Sequence, residues 1–197
     1  MQETIDEAAY SPADVSAARR HFVAISGCSG GGKSTLLCEL GRRGFEIFAE
    51  PGRQIVKEQV AIGGEALPGG NSLAFVELCV SRAMHGMIGA AATKTLVFFD
   101  RGIVDAISYL EHLKFDVPVH LRNTAERFRY NEKIFVVPPW PECFRNDAER
   151  THSFEDAVAQ YETSLKTYER YGYTCVIVPQ GPVSERADFV LHALEGV

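Results

Sequence analysis

No stretch of the 197 residues approaches the run of roughly 18 apolar residues that a membrane-crossing helix needs. No membrane role is therefore expected. No two of the five cysteines (Cys28, Cys38, Cys79, Cys143 and Cys175) have C-x-x-C spacing, and their number is odd. This argues against a disulfide framework and a cysteine zinc site, and it favours a reducing, cytoplasmic setting. The six histidines show no ligand spacing either. Basic residues are the minority, 20 Lys and Arg against 26 Asp and Glu, for a net charge of −6. A generic nucleic-acid or membrane-surface binder would carry the opposite balance. A local basic pocket for phosphates remains compatible with it. Met1 to Ser16 is polar and acidic, without the apolar core of a signal peptide.

What the chain does have is a 46% hydrophobic content, enough for one globular core at this length. Residues 1–20 read as a tail or a loosely attached helix, and residues 21–197 as one domain. The oligomeric state is open, a homodimer included. From Phe22 onward short apolar runs alternate with helical patterns. Phe22–Ser26, Phe45–Ala49, Leu96–Asp100, Ile134–Val137 and Cys175–Val178 read as five buried strands. Between them lie helices. Leu36, Leu37 and Leu40 form one helical face, stopped by Gly44. Pro51 and Gly52 break the chain before a helix of about 10 residues from Gln54, and Ala61 to Asn71 is glycine-rich loop. Further helices span Ser72 to about Ala92, Gly102 to Leu113, Val119 to Phe128 and Val183 to Leu194. Phe154, Ala157, Val158, Tyr161, Leu165 and Tyr168 keep the i, i+3, i+4, i+7 spacing, with Ser153 as cap and Gly172 as stop. Strands alternating with helices imply a three-layer α/β/α fold around a five-stranded parallel sheet. Ligands of such sheets lie at the carboxyl ends of the strands.

Directly after the first strand stands Gly27-Cys28-Ser29-Gly30-Gly31-Gly32-Lys33-Ser34, a full match to G-x-x-x-x-G-K-[ST]. Glycines there let backbone N–H groups converge on phosphate oxygens, and the following helix adds its positive end. Gly27 to Thr35 is therefore the expected site for ATP. Lys33 is expected to reach the β- and γ-phosphates and the Ser34 hydroxyl to ligate Mg2+. The other strand ends supply the remaining candidates. Asp100 would hold the metal or take a substrate proton, or simply cap the next helix. Glu50 is the rival general base. Arg101 and Arg53 would bind the acceptor. Arg145 and Arg150, in a polar lid segment at about residues 139–153, would close over the triphosphate, neutralise charge in transfer and exclude water. Arg122, Arg127 and Arg129 read as a solvated face. Tyr161, Tyr168, Tyr171 and Tyr173 read as core and sheet-edge packing.

The loop, together with Glu50-Pro51-Gly52-Arg53, Phe98-Phe99-Asp100-Arg101-Gly102 and Pro138-Pro139-Trp140-Pro141-Glu142, resembles a family of small bacterial P-loop proteins. These are often labelled AAA-type ATPases, yet they look like nucleoside and nucleotide kinases, the ribosylnicotinamide kinase domain among them. The resemblance covers about residues 21–196. The Glu50-Pro51-Gly52 and Asp100-Arg101 segments also look like thymidylate kinases, except that Gly102 stands where those usually carry a bulkier residue. The resemblance implies a nucleotide-kinase-like fold with a lid, and a place beside the adenine for Pro179-Gln180-Gly181-Pro182. An N-K-x-D motif and a D-x-x-G switch after the third strand are missing, which argues against a GTPase. The expected function is a small-molecule kinase that transfers the ATP γ-phosphoryl group to an acceptor hydroxyl or phosphate. The rival is an ATP-hydrolysing switch that acts on a protein partner.

Overall fold

The computed structural model describes residues 10–13, 15–143 and 153–195. Its centre is a parallel sheet whose strands are β1 (Phe22–Gly27), β2 (Glu46–Phe48), β3 (Val97–Asp100), β4 (Lys133–Val137) and β5 (Thr174–Ile177), in the order β2-β3-β1-β4-β5. Ala24 sits beside Phe99 of β3, and Ile25 beside Phe135 of β4. Alternate residues of each strand point to opposite faces, and here both faces are apolar. Phe22, Ala24, Val97, Phe99, Ile134 and Val136 belong to one core cluster. Val23, Ile25, Phe98, Phe135 and Val137 belong to the other. That two-sided burial is why the strands read as unbroken apolar runs.

Helices α1 (Val15–Ala18) and α2 (Lys33–Arg42) flank β1 in the chain. Helices α3 (Pro51–Ile62) and α4 (Ser72–Gly89) link β2 to β3, and α5 (Ile103–His112) and α6 (Val119–Arg127) link β3 to β4. Helix α7 (Phe154–Arg170) precedes β5, and α8 (Val183–Ala193) follows it. The first core cluster takes side chains from α4, α5, α6 and α7, and the second from α2 and α8. The expected three-layer α/β/α fold is therefore what forms.

Several boundaries differ from the sequence expectation by a residue or more, and two of them have a plain local reason. Helix α3 begins at Pro51 rather than Gln54. Proline fits the first helical position, because the N–H it lacks would have no helical partner there. Strand β2 shortens to three residues at the sheet edge, where one side of the ladder has no neighbour. Val15 and Ala18 are buried in the first core cluster, so residues just before β1 pack against the domain. Helix α7 begins where its cap was expected. Asp156 N–H donates to Ser153 Oγ at 3.1 Å, and Ser153 N–H donates back to Asp156 Oδ2 at 3.3 Å.

Candidate active site

The β1–α2 loop is built by close backbone approach. Gly27 has φ +117°, and a Cβ there would lie 2.2 Å from the Val137 carbonyl oxygen. Only glycine fits. Cys28 N–H donates to that same oxygen at 3.0 Å, which pins the loop to the end of β4. Gly32, at φ +80°, caps α2, so Lys33 stands at the first turn of the helix. The Lys33 ammonium is buried and donates to Cys28 O at 3.0 Å and Gly27 O at 3.4 Å. Burial and the neighbouring Arg101 charge lower its pKa to about 8, against the opposing pull of Asp100, Glu50 and Asp105.

The end of β3 is bent just as tightly. Arg101 N–H donates to Ile25 O at 3.0 Å, and Arg101 then turns left-handed with φ +67°. A non-glycine residue rarely adopts that conformation, which costs about 1–3 kcal/mol and is found most often at functional sites. The guanidinium has three partners. Nε donates to Glu50 Oε1 at 2.9 Å, and Nη1 donates to Asp105 Oδ1 at 3.3 Å and Gly27 O at 3.4 Å. Burial pushes the Glu50 carboxyl up, but Arg101, Lys33 and Arg53 together hold it below its ordinary value. Asp100 goes the other way. Burial, joined by the Glu50 and Asp105 charges, pushes it up to about 6 despite Lys33 and Arg101. Asp100 Oδ1 is buried without a hydrogen-bond partner.

Asp105, on α5, escaped the sequence reading. Its carboxylate is buried and accepts from Ser26 Oγ at 2.5 Å, Tyr168 Oη at 2.6 Å and Gly102 N–H at 2.7 Å, besides Arg101. One side chain thus joins β1, the Arg101 turn and α7. The signal was available: an acid three residues after the N-cap, at the capping-box position, and four residues after an arginine. Gly102 is explained by the same cluster. A Cβ there would meet Tyr168 Oη at 2.9 Å and the Tyr130 ring at 3.0 Å.

These groups face one cleft of about 710 Å³. Gly27, Ser29, Gly30, Gly32, Lys33, Ser34 and Thr35 line it, as do Glu50, Arg53, Arg101 and Asp105. The wall beyond them is apolar and aromatic, with Phe75, Val76, Val80, Tyr109 and Tyr161. Tyr161 therefore corrects the expectation of mere packing. Tyr168 is buried as expected, but it also holds Asp105. Cys28 and Gly31 contribute backbone to the loop and lie outside the lining. Asp100 lines a neighbouring pocket of about 490 Å³ instead. Arg122 donates to Val117 O, and Arg129 stacks over Tyr173 at 3.9 Å; neither reaches the cleft. Gln180 Nε2 donates to Pro139 O at 3.1 Å, which ties the loop after β5 to the one after β4. Arg145 and Arg150 lie outside the described residues, as does most of the expected lid.

Over residues 22–186 the sequence matches the family model described as an AAA domain. The chain belongs to that family. No curated protein matches its sequence. Solved structures do resemble this AAA domain. A thymidylate kinase from Ehrlichia chaffeensis is 17% identical at TM-score 0.58, over 89% of this chain and 98% of that one. A deoxyadenosine kinase from M. mycoides with bound dATP is 16% identical at TM-score 0.61, over 89% and 100%. The NadR protein in complex with NR is 18% identical at TM-score 0.68, over 91% of this chain and 54% of that one. This AAA domain thus spans about half the length of that last protein. At these identities the likeness is one of fold: a P-loop fold of the nucleotide-kinase type. Among the described residues no helix is long and apolar enough to cross a membrane.

Proposed function

We propose that this AAA domain is an ATP- and Mg2+-dependent phosphotransferase. It moves the γ-phosphoryl group to a hydroxyl or phosphate of a small, nucleoside- or nucleotide-like acceptor. One observation carries the reading: the phosphate loop and an aromatic, apolar wall share a single cleft of about 710 Å³. A phosphate site alone needs no such wall, and the volume suits a second, drug-sized ligand. The structural likeness to thymidylate and deoxyadenosine kinases supports the same class of acceptor.

The loop amides and Lys33 would hold the β- and γ-phosphates. Glu50, kept ionised by Arg101 and 28% exposed toward the cleft, is placed to accept or orient the acceptor's proton. Arg101 is fixed by Glu50 and Asp105, so it offers oriented positive charge at no reorganisation cost. Arg53 adds a second guanidinium on the acceptor side.

The donor set fits Mg2+. Asp100, at the neighbouring pocket, presents a buried carboxylate oxygen without a partner, and Ser34 a hydroxyl in the cleft. Among the described residues no cluster of three or more His, Cys, Asp or Glu could hold a metal, as suits a cation carried mainly by waters and nucleotide phosphates. When bound, it neutralises phosphate charge during transfer. On this reading Asp100 would be the metal residue and Glu50 the acceptor residue. The domain's setting would be cytoplasmic and its partner a small molecule.

The test is a panel of nucleosides, nucleoside monophosphates and related alcohols incubated with Mg·ATP. ADP release that requires one acceptor, with the phosphorylated acceptor identified by mass, is the expected result. ADP release indifferent to every acceptor but raised by a protein would replace the kinase with the ATP-hydrolysing switch.

A further inference from the structure

A loop that turns its amide hydrogens toward a phosphate must turn its carbonyls the other way. Those carbonyls then need donors of their own, and they place negative partial charge behind an anion site. In this domain Gly31 O is met from a distant helix, and Gly32 O, which already accepts Leu36 N–H at 3.2 Å, takes a second donor from the same side chain. Arg186 of α8 is only 4% exposed. Its Nη2 donates to Gly31 O at 3.2 Å and its Nη1 to Gly32 O at 3.3 Å. Its guanidinium carbon lies 5.7 Å from the centre of the Trp140 ring, so the indole lies beside the fork. Arg186 is absent from the cleft lining, which leaves it behind the loop rather than beside the ligand. The fork shape matters, because two separate carbonyls are reached at once by one rigid group.

We propose that Arg186 is a positioning residue for the nucleotide. It holds the outward carbonyls of Gly31 and Gly32, and so keeps the loop amides and Lys33 aimed at the phosphates. This rests on the phosphate-loop reading and extends it to a residue about 150 positions away in the chain and outside the cleft lining. A helix that packs beside α2 on the same face of the sheet thereby sets phosphate affinity.

The probes are Mg·ATP and Mg·tripolyphosphate, which has the charge but no base, titrated calorimetrically into the whole chain. Arg186→Met keeps length and apolar bulk but removes both donors. It should weaken both ligands by the same factor, about 10- to 100-fold, as expected for charge-assisted bonds. Arg186→Lys can serve one carbonyl and should recover part of the loss. Should Arg186→Met not fold, Arg186→Lys alone still decides, with a loss of about tenfold expected. Asp188→Ala is the control for general loosening of α8. Asp188 accepts from Arg43 Nη1 at 2.6 Å and ties the same helix to α2 away from the loop. Its affinity for tripolyphosphate should stay within about twofold of the parent.

Unchanged affinities in the Arg186 variants would overturn the proposal. So would an equal loss in Asp188→Ala, or a loss for ATP alone with tripolyphosphate unaffected, which would mean a contact to the nucleoside. If the parent chain binds neither probe, the phosphate-loop reading itself fails, and this inference fails with it.

Discussion

Lys33, Glu50, Asp100, Arg101 and Asp105 form one cluster, in which the charges of Lys33, Glu50, Asp100 and Arg101 act on one another. Lys33→Ala removes the ammonium that burial and Arg101 hold at a pKa of about 8. It should abolish turnover and weaken Mg·ATP in calorimetry, and unaltered binding and turnover would contradict the loop assignment. Glu50→Gln keeps the shape and the Arg101 contact but loses the negative charge. We expect kcat to fall by about 10²–10⁴-fold, as for loss of a general base, with ATP affinity nearly intact.

Asp100 gives a pH prediction whose sign is fixed. Its folded pKa, about 6, lies above its ordinary value of 3.8, so proton uptake favours the folded state. The contribution is full below 3.8 and is lost as pH rises through 6. In metal-free buffer at pH 8, Asp100→Asn should therefore raise stability by on the order of 2 kcal/mol, and near pH 4 it should not. Thermal melts at the two pH values decide it, and an equal effect at both would contradict the buried-charge account.

At the scale of elements, α5 and α7 do the holding. Tyr168 donates to Asp105, and Thr167 Oγ1 donates to Glu111 Oε2 at 2.7 Å. Gly102, at the N-cap of α5, has no room for a methyl group between Tyr168 and Tyr130. Gly102→Ala should destabilise the domain by about 1–3 kcal/mol in chemical denaturation, as other overpacking changes do. It should also slow turnover by shifting Asp105. Ser153→Ala removes the α7 cap and should cost about 1 kcal/mol. Since Asp156 and Ala157 line the cleft, frayed first-turn residues should also raise the acceptor KM. The apolar stripe of α7 was plain in its spacing. That part of the stripe, at Ala157 and Tyr161, faces a ligand cleft was not, because periodicity defines a face and not what lies opposite it.

For the whole molecule, nucleotide binding and folding are linked. A ligand at about 100 times its Kd should stabilise the fold by about 2.7 kcal/mol. Mg·ATP should accordingly raise the melting temperature of the parent chain. The Lys33→Ala chain should show little or none of that rise, and an equal shift in both would place the nucleotide elsewhere. The sheet order explains why the segments after several strands meet in one cleft. β1 lies between β3 and β4, so the loop after β1, the Asp100-Arg101 turn after β3 and the Pro138 segment after β4 open at the same edge. Glu50 arrives there from β2, one strand further out.

Much of this was set locally. Strands buried on both faces must be apolar throughout, so β1, β3 and β4 were readable from their residues alone, whereas β2 and β5, expected to be buried too, lie at the sheet edges and are only partly covered. The phosphate loop was readable too, because a backbone that cradles anions demands glycine at fixed spacing and a lysine at the helix start. The Ser153 cap followed from side-chain chemistry within four residues. Partnership across the chain was decided only by folding. Nothing in local spacing joins Asp105 to Ser26 and Tyr168, or Arg186 to Gly31 and Gly32, since these contacts span 79, 63, 155 and 154 positions. Nor does it separate Glu50 from Asp100. Both follow apolar runs, yet packing leaves one facing the cleft and buries the other, so their proton affinities move in opposite directions.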